Sequence, residues 1–133
     1  MAKWTARGIN IGPTVFCGET RGHRLIGDVP EDLGGHNAGA MPPEWMVPAL
    51  ACCMGTVIAL ACRERGVPYE GMTLDVECDD IEDEHRLDNF KLTINMPEEL
   101  DEHMREVVVA AERNCRVANT LMNGAQVEIS VAD

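Results

Sequence analysis

The stretch Pro42-Pro43-Glu44-Trp45-Met46-Val47-Pro48-Ala49-Leu50-Ala51-Cys52-Cys53-Met54-Gly55-Thr56 decides how this chain reads. Two prolines and an acidic residue lead into a run of small and apolar residues, the pattern of a helix entry followed by a buried helix. The helix is predicted over 44–65, and its apolar span implies burial on most sides. Pro48 fits only in a first turn, where a missing N–H does no harm, so the regular helix is placed from near Val47. Gly66 ends it after three charged residues at 63–65. A further thiol lies downstream in Ala110-Ala111-Glu112-Arg113-Asn114-Cys115-Arg116-Val117, near the end of a second helical pattern. One cysteine inside an apolar helix and another near the end of a second helix suggest a thiol pair able to do redox chemistry.

Composition bounds the rest. A chain of 133 residues, 45% of them hydrophobic, is expected to form one domain over 1–133 with its own core. Only 4% are aromatic, so Val, Leu, Ile, Ala and Met must build that core. The net charge of −12, with no basic stripe, argues against nucleic acid and anionic membranes as partners. The first residues lack the apolar core of a secretory signal, and the apolar run from Trp45 to Cys62 suits a core helix better than a membrane span. A cytoplasmic protein is expected. The six cysteines, at 17, 52, 53, 62, 78 and 115, show neither CxxC nor a zinc spacing. No disulfide framework, metal or cofactor is expected.

Outward from the cysteine helix, residues 3–16 read as two extended pieces broken at Gly12-Pro13, and His23 to Val29 as another strand. The Gly-, Pro- and Asn-rich segment 30–43 is a loop set directly before the helix. Met72, Leu74, Val76 and Cys78 alternate with polar residues, as do Phe90, Leu92, Ile94 and Met96, which predicts a hairpin joined by a solvated acidic loop over 79–88. Pro97 opens a helix whose period runs from Leu100 to Cys115. A short helix over 116–122 stops at Asn123-Gly124, and a strand over Gln126–Val131 closes the chain. The order β-β-β-α-β-β-α-α-β is an α+β fold.

A mid-helix cysteine is ordinarily a small core residue, and Cys17, Cys62 and Cys78 are left in that role. Neighbours on a helix point roughly 100° apart, so one of Cys52 and Cys53 packs while the other faces a cleft. Reactivity requires a thiolate. Cys53 lies too deep in its helix to draw on that helix's N-terminal dipole, so side chains are expected to activate it. Arg21, His23 and Arg24 lie on the upstream strand, and Glu44 is suited to hold an arginine through a bidentate pair.

Arg21-Gly22-His23-Arg24-Leu25-Ile26-Gly27-Asp28-Val29-Pro30, Gly34-Gly35-His36-Asn37-Ala38-Gly39, Pro42-Pro43-Glu44 and Ala49-Leu50-Ala51-Cys52-Cys53, in that order, resemble the OsmC/Ohr family. Ala110 to Val117, with Thr120-Leu121, resembles its second cysteine segment. The likeness spans residues 20–131. It implies an OsmC-like fold, with antiparallel sheets around a long central cysteine-bearing helix in an intertwined homodimer. It also implies a thiol-dependent peroxidase reducing organic hydroperoxides, with an external dithiol as reductant. Carried over, Cys53 is the peroxidatic cysteine and Cys115 the resolving one. Glu44 is the family's glutamate, and Arg24, with Arg21 as the alternative, is the arginine at the thiolate.

The chain departs from the family pattern in three places. The family's peroxidase branches place the glutamate ten residues before the cysteine, whereas Glu44 stands nine before Cys53. Nine residues on a straight helix rotate by roughly 900°, to opposite faces, so Glu44 must precede the regular helix or do another job. Cys115 is followed by Arg116 where the family often has proline, and Cys52 is an additional thiol. The alternative reading is a non-catalytic dimer that binds a small apolar ligand or acts as a redox sensor.

Overall fold

The computed structural model describes residues 1–132. The chain divides into two compact units, Met1–Met46 and Val47–Asp133.

The first unit is a three-stranded antiparallel meander of β1 (Arg7–Asn10), β2 (Phe16–Thr20) and β3 (His23–Gly27). The break at Gly12-Pro13 separates β1 from β2 as the sequence predicts. The β2–β3 hairpin pairs Thr20 with His23, so its loop is Arg21-Gly22. Both loop residues have positive φ, 49° and 82°. Such two-residue loops match the twist of the flanking strands. Arg21 therefore belongs to a turn and not to the strand on which the sequence reading placed it.

The loop after β3 is organised by Asp28, which is only 1% exposed. Its Oδ1 accepts from Thr14 Oγ1 at 2.6 Å and the Val29 N–H at 2.8 Å, and its Oδ2 from the N–H groups of His36 and Ala38, both at 3.0 Å. Gly35 and Gly39 let the loop close on itself: a Cβ on Gly35 would overlap the Val29 carbonyl oxygen, and one on Gly39 that of Ile26. A 3₁₀ turn, Pro42–Trp45, then leads to the long helix.

In the second unit, α1 (Met46–Arg65) is followed by the hairpin of β4 (Thr73–Ile81) and β5 (Arg86–Asn95), then by α2 (Glu102–Glu112) and α3 (Arg116–Asn123). Helix α1 ends where Gly66, at φ 68°, reverses the chain and the Val67 N–H donates to the Cys62 carbonyl. With its preceding turn the helix spans 24 residues and contains a window of mean hydropathy 2.0, long and apolar enough for a membrane span by length and composition. It is instead a core helix. Leu50, Met54, Ile58 and Cys62, one face at every fourth residue, are buried with Val67, Val108, Ala111 and Cys115. Fully burying such aliphatic side chains contributes about 1.5–3 kcal/mol each. Burial is one-sided in the single chain, since Cys52, Thr56 and Leu60 are exposed. The expectation of burial on most sides is corrected accordingly.

Leu74, Val76, Leu92 and Ile94 cover this core from the hairpin, on the alternating face the sequence predicts. The acidic connection is much shorter than expected. Asp79, Asp80 and Ile81 pair with Asp88, Leu87 and Arg86, leaving a tip of residues 82–85 built on the 3₁₀ turn Glu82–Glu84. Between Glu77 and Asp79 the register shifts: two residues of β5, Asn89 and Phe90, oppose Cys78. Asn89 has φ 55°, and its side chain donates to Asp79 Oδ2 at 2.9 Å, fixing the bulge. At the other end, Gln126–Val131 forms no strand. Alternation supplies a face but not a partner, and no ladder within the described residues receives this segment.

Candidate active site

Helix α2 begins at Asp101, whose side chain accepts the Met104 N–H at 2.8 Å. Although the apolar period runs on to Cys115, the helix stops at Glu112. Arg113 and Asn114 form a turn held by the Asn119 side chain, which donates to the Arg113 carbonyl at 3.0 Å. Cys115 thus ends no helix. It is the N-cap of α3, in extended conformation (φ −77°, ψ 106°), and its sulfur accepts the Ala118 N–H at 3.5 Å. Gly124, at φ 59°, closes α3.

This placement brings Cys115 against Cys53. Cys115 is fully buried, Cys53 is half-buried beside the same core, and each thiol acts on the acidity of the other. Burial pushes the Cys53 thiol up. It is outweighed by the Val117 N–H, the Cys115 thiol, the Arg116 N–H and the charge of Arg116, and the net direction is down. The Cys115 thiol is pushed up, chiefly by burial against the opposing Ala118 N–H, with its hydrogen bond to Cys53 and the Cys53 charge adding to the rise. The pair therefore ionises in a fixed order, Cys53 before Cys115. A thiolate in contact with a second, protonated thiol has the parts needed for disulfide chemistry.

The first turn of a helix leaves its N–H groups without acceptors inside the helix. Those of Arg116 and Val117 favour the ionised form of Cys53. Cys53 indeed gains nothing from the start of its own helix, but it sits at the start of another. The expectation that side chains alone would activate it is corrected by these two backbone donors. A cysteine immediately before the predicted 116–122 helix was the available signal, because that is an N-cap position.

The other predicted residues lie in the first unit. Glu44 is in the 3₁₀ turn, before the regular helix, as its spacing from Cys53 requires. Its N–H donates to the Met41 carbonyl at 2.8 Å, and its Oε1 accepts the Met41 N–H at 3.0 Å. Arg24 on β3 donates through Nε to Glu19 Oε1 at 2.8 Å, with its side chain 75% exposed. Cys52 is exposed, Cys17 and Cys62 are buried, and Cys78 is half-buried at the bulge. Burial pushes the Cys62 thiol up. No group of His, Cys, Asp and Glu suited to hold a metal occurs among the described residues.

Known proteins share this architecture. A solved structure of a candidate osmotic-stress-induced and detoxification response protein from Psychrobacter arcticus superposes with a TM-score of 0.77 at 22% identity, over 90% of this chain and 89% of that one. An OsmC-like protein from Mycoplasma pneumoniae gives 0.71 at 16% identity, over 92% and 89%. An organic hydroperoxide resistance protein from Elizabethkingia anophelis gives 0.62 at 18%, over 93% and 91%. No curated protein sequence matches the chain. At these identities the structures establish the fold, which is α+β with antiparallel sheets and a long central helix. The family model for OsmC-like proteins matches residues 35–130, so this chain belongs to the OsmC-like family.

Proposed function

We propose that the protein is a thiol-dependent peroxidase that reduces organic hydroperoxides. The observation that carries this reading is the pairing of Cys53 with Cys115, the N-cap of α3, in which the first thiol is lowered and the second raised. The Cys53 thiolate attacks the peroxide oxygen. A sulfur–oxygen bond forms, the O–O bond breaks, and the alkoxide takes up a proton to leave as an alcohol, giving a sulfenic acid. The Cys115 thiol condenses with it, releasing water and forming the Cys53–Cys115 disulfide. An external dithiol restores both thiols by exchange and is itself oxidised. Arg24, with Arg21 as the alternative, and Glu44 assist in the roles the family resemblance gives them. Arg24 is suited to this because an exposed ion pair such as Arg24–Glu19 costs little to exchange.

The working form in this reading is a single-domain chain in an intertwined homodimer. Its support is the apolar surface left open in one chain, including Leu60 on α1, Phe16 and Leu25 on the sheet, and Val127, Ile129 and Val131 in the last segment. A reducing cytoplasm, where a dithiol reductant is available, is the fitting compartment.

The test is to mix reduced protein with cumene hydroperoxide and count thiols, with Cys53→Ser and Cys115→Ser in parallel. Rapid loss of two thiols into a Cys53–Cys115 disulfide that neither variant forms is expected. Loss no faster than that of a free thiol would overturn the reading and leave a ligand-binding or sensing dimer.

A further inference from the structure

The turn between α2 and α3, Arg113-Asn114, is bridged by one side chain. A helix that carried its apolar period past Cys115 would give the Arg113 carbonyl the Val117 N–H, four residues on. That carbonyl accepts the side-chain N–H of Asn119 instead, at 3.0 Å. The main-chain N–H of Asn119 donates to the Cys115 carbonyl at 2.9 Å. One residue thus bonds to the chain on both sides of Asn114. Beside those two bonds Cys115 takes the extended N-cap conformation, and its sulfur accepts the Ala118 N–H at 3.5 Å. The core cluster that buries Cys115 is the one against which Cys53 packs.

We infer that Asn119 is a positioning residue for the second thiol: its side-chain N–H takes the place of the helical donor at Arg113, ends α2 there, and so holds Cys115 at the start of α3, in the core that Cys53 shares. The inference rests on Cys115 being the resolving thiol of the proposed reaction. Asn119 then governs where the second sulfur sits, and with it disulfide closure rather than peroxide attack. Such a role needs a donor at this position and not a helix former. Asn is a poorer helix residue than Ala or Gln, so a residue that served only to build α3 would be improved by Ala. Asp keeps the shape of Asn, and its charge is favourable near a helix start, but its carboxylate has no N–H to give. The two roles therefore rank the same substitutions in opposite order. Asn119 lies at the surface, so replacing it leaves no cavity.

The experiment equilibrates the protein with mixtures of reduced and oxidised glutathione and quantifies the Cys53–Cys115 disulfide by peptide-resolved mass spectrometry. The two protein thiols are oxidised to one disulfide while one glutathione disulfide is reduced to two glutathione thiols, so the balance point gives the effective concentration of one sulfur at the other. Native protein is compared with N119A, N119D and N119Q. N119A and N119D should lower that concentration by about threefold to tenfold, the range that a single net hydrogen bond gives. N119Q, whose amide keeps the donor, should stay within about twofold of native. Native values in N119A and N119D would overturn the inference, and so would a ranking that follows helix propensity, with Ala above Asn. Absence of a Cys53–Cys115 disulfide in the native protein at every glutathione ratio would overturn it as well.

Disulfide formation with cumene hydroperoxide is scored on the native protein separately. If the peroxide forms the disulfide while all variants match the native protein in glutathione, the role of Asn119 fails alone. If the variants rank as expected in glutathione and the peroxide acts no faster than on a free thiol, the peroxidase reading fails alone.

Discussion

The Cys115 sulfur accepts the Ala118 N–H at 3.5 Å, capping α3, and the same thiol acts on Cys53, a residue in the middle of another helix. The acidity of Cys53 is thus raised by a helix start elsewhere in the chain.

Removing the cap separates its two effects. Cys115→Ala deletes both the thiol donor to Cys53 and the acceptor for the Ala118 N–H. It should cost about 1 kcal/mol through the lost cap, and more through the cavity left at a fully buried site. It should also raise the pH midpoint of Cys53 alkylation. Cys115→Ser keeps a donor and a stronger cap, so its midpoint should stay near native. Urea unfolding and peptide-resolved alkylation measure the two effects, and equal midpoints in the Ala and Ser variants would refute the donor role.

Asp28 should govern the acid tolerance of the first unit. Four donors hold its carboxyl well below the usual carboxylate range, the Thr14 hydroxyl first and the Ala38 N–H next, against the opposing effect of burial. A depressed folded value means that the stabilisation is complete above the unfolded value of about 3.9 and is lost as the pH falls below it toward the folded value. Asp28→Asn turns an amide NH₂ toward two of these donors, so it should destabilise at neutral pH and flatten the acid dependence. Fluorescence of Trp45, whose indole N–H donates to the Ile26 carbonyl at 3.2 Å, reports on this unit. An acid profile unchanged in the variant would refute the assignment.

Gly39→Ala should cost about 2 kcal/mol or more, because its Cβ would meet the backbone carbonyl of Ile26, which has no rotamer with which to yield. Gly8→Ala, with open space around it, should be neutral within about 0.5 kcal/mol. Urea midpoints for the pair make the comparison, and similar values would contradict the close-approach reading.

In the second unit, Ile58→Ala should destabilise by about 2–5 kcal/mol, since the side chain is fully buried on the packed face of α1. An unfolding midpoint within error of native would show that face to be loosely packed.

The sequence was readable wherever one local pattern decided an element. Alternation marked the faces of β4 and β5, and small apolar residues marked α1. The angular argument at Glu44 left it either before the regular helix or in another role, and it is found before the helix. What was not legible depended on competition or on distance. Cys115 keeps the helical period of α2, and only the turn at Arg113-Asn114, tied by Asn119, transfers it to the start of α3. The Arg116 and Val117 amides carry no side-chain signature at all. Asp28 looked like one acidic residue among 23, and its role emerges only when the loop folds its N–H groups back onto it. The last segment alternates correctly, but pairing is a property of two strands and cannot be read from one.

Helix α3 is eight residues long, too short to persist on its own in water. Val117, Ala118 and Leu121, packed against the core, hold it in place. Whenever α3 opens, Cys53 loses the groups of α3 that lower its thiol together. The Cys53 thiol therefore has a thermal dependence of its own: warming that only frays α3 would weaken the sulfur's acidity while the long helix and both sheets still stand.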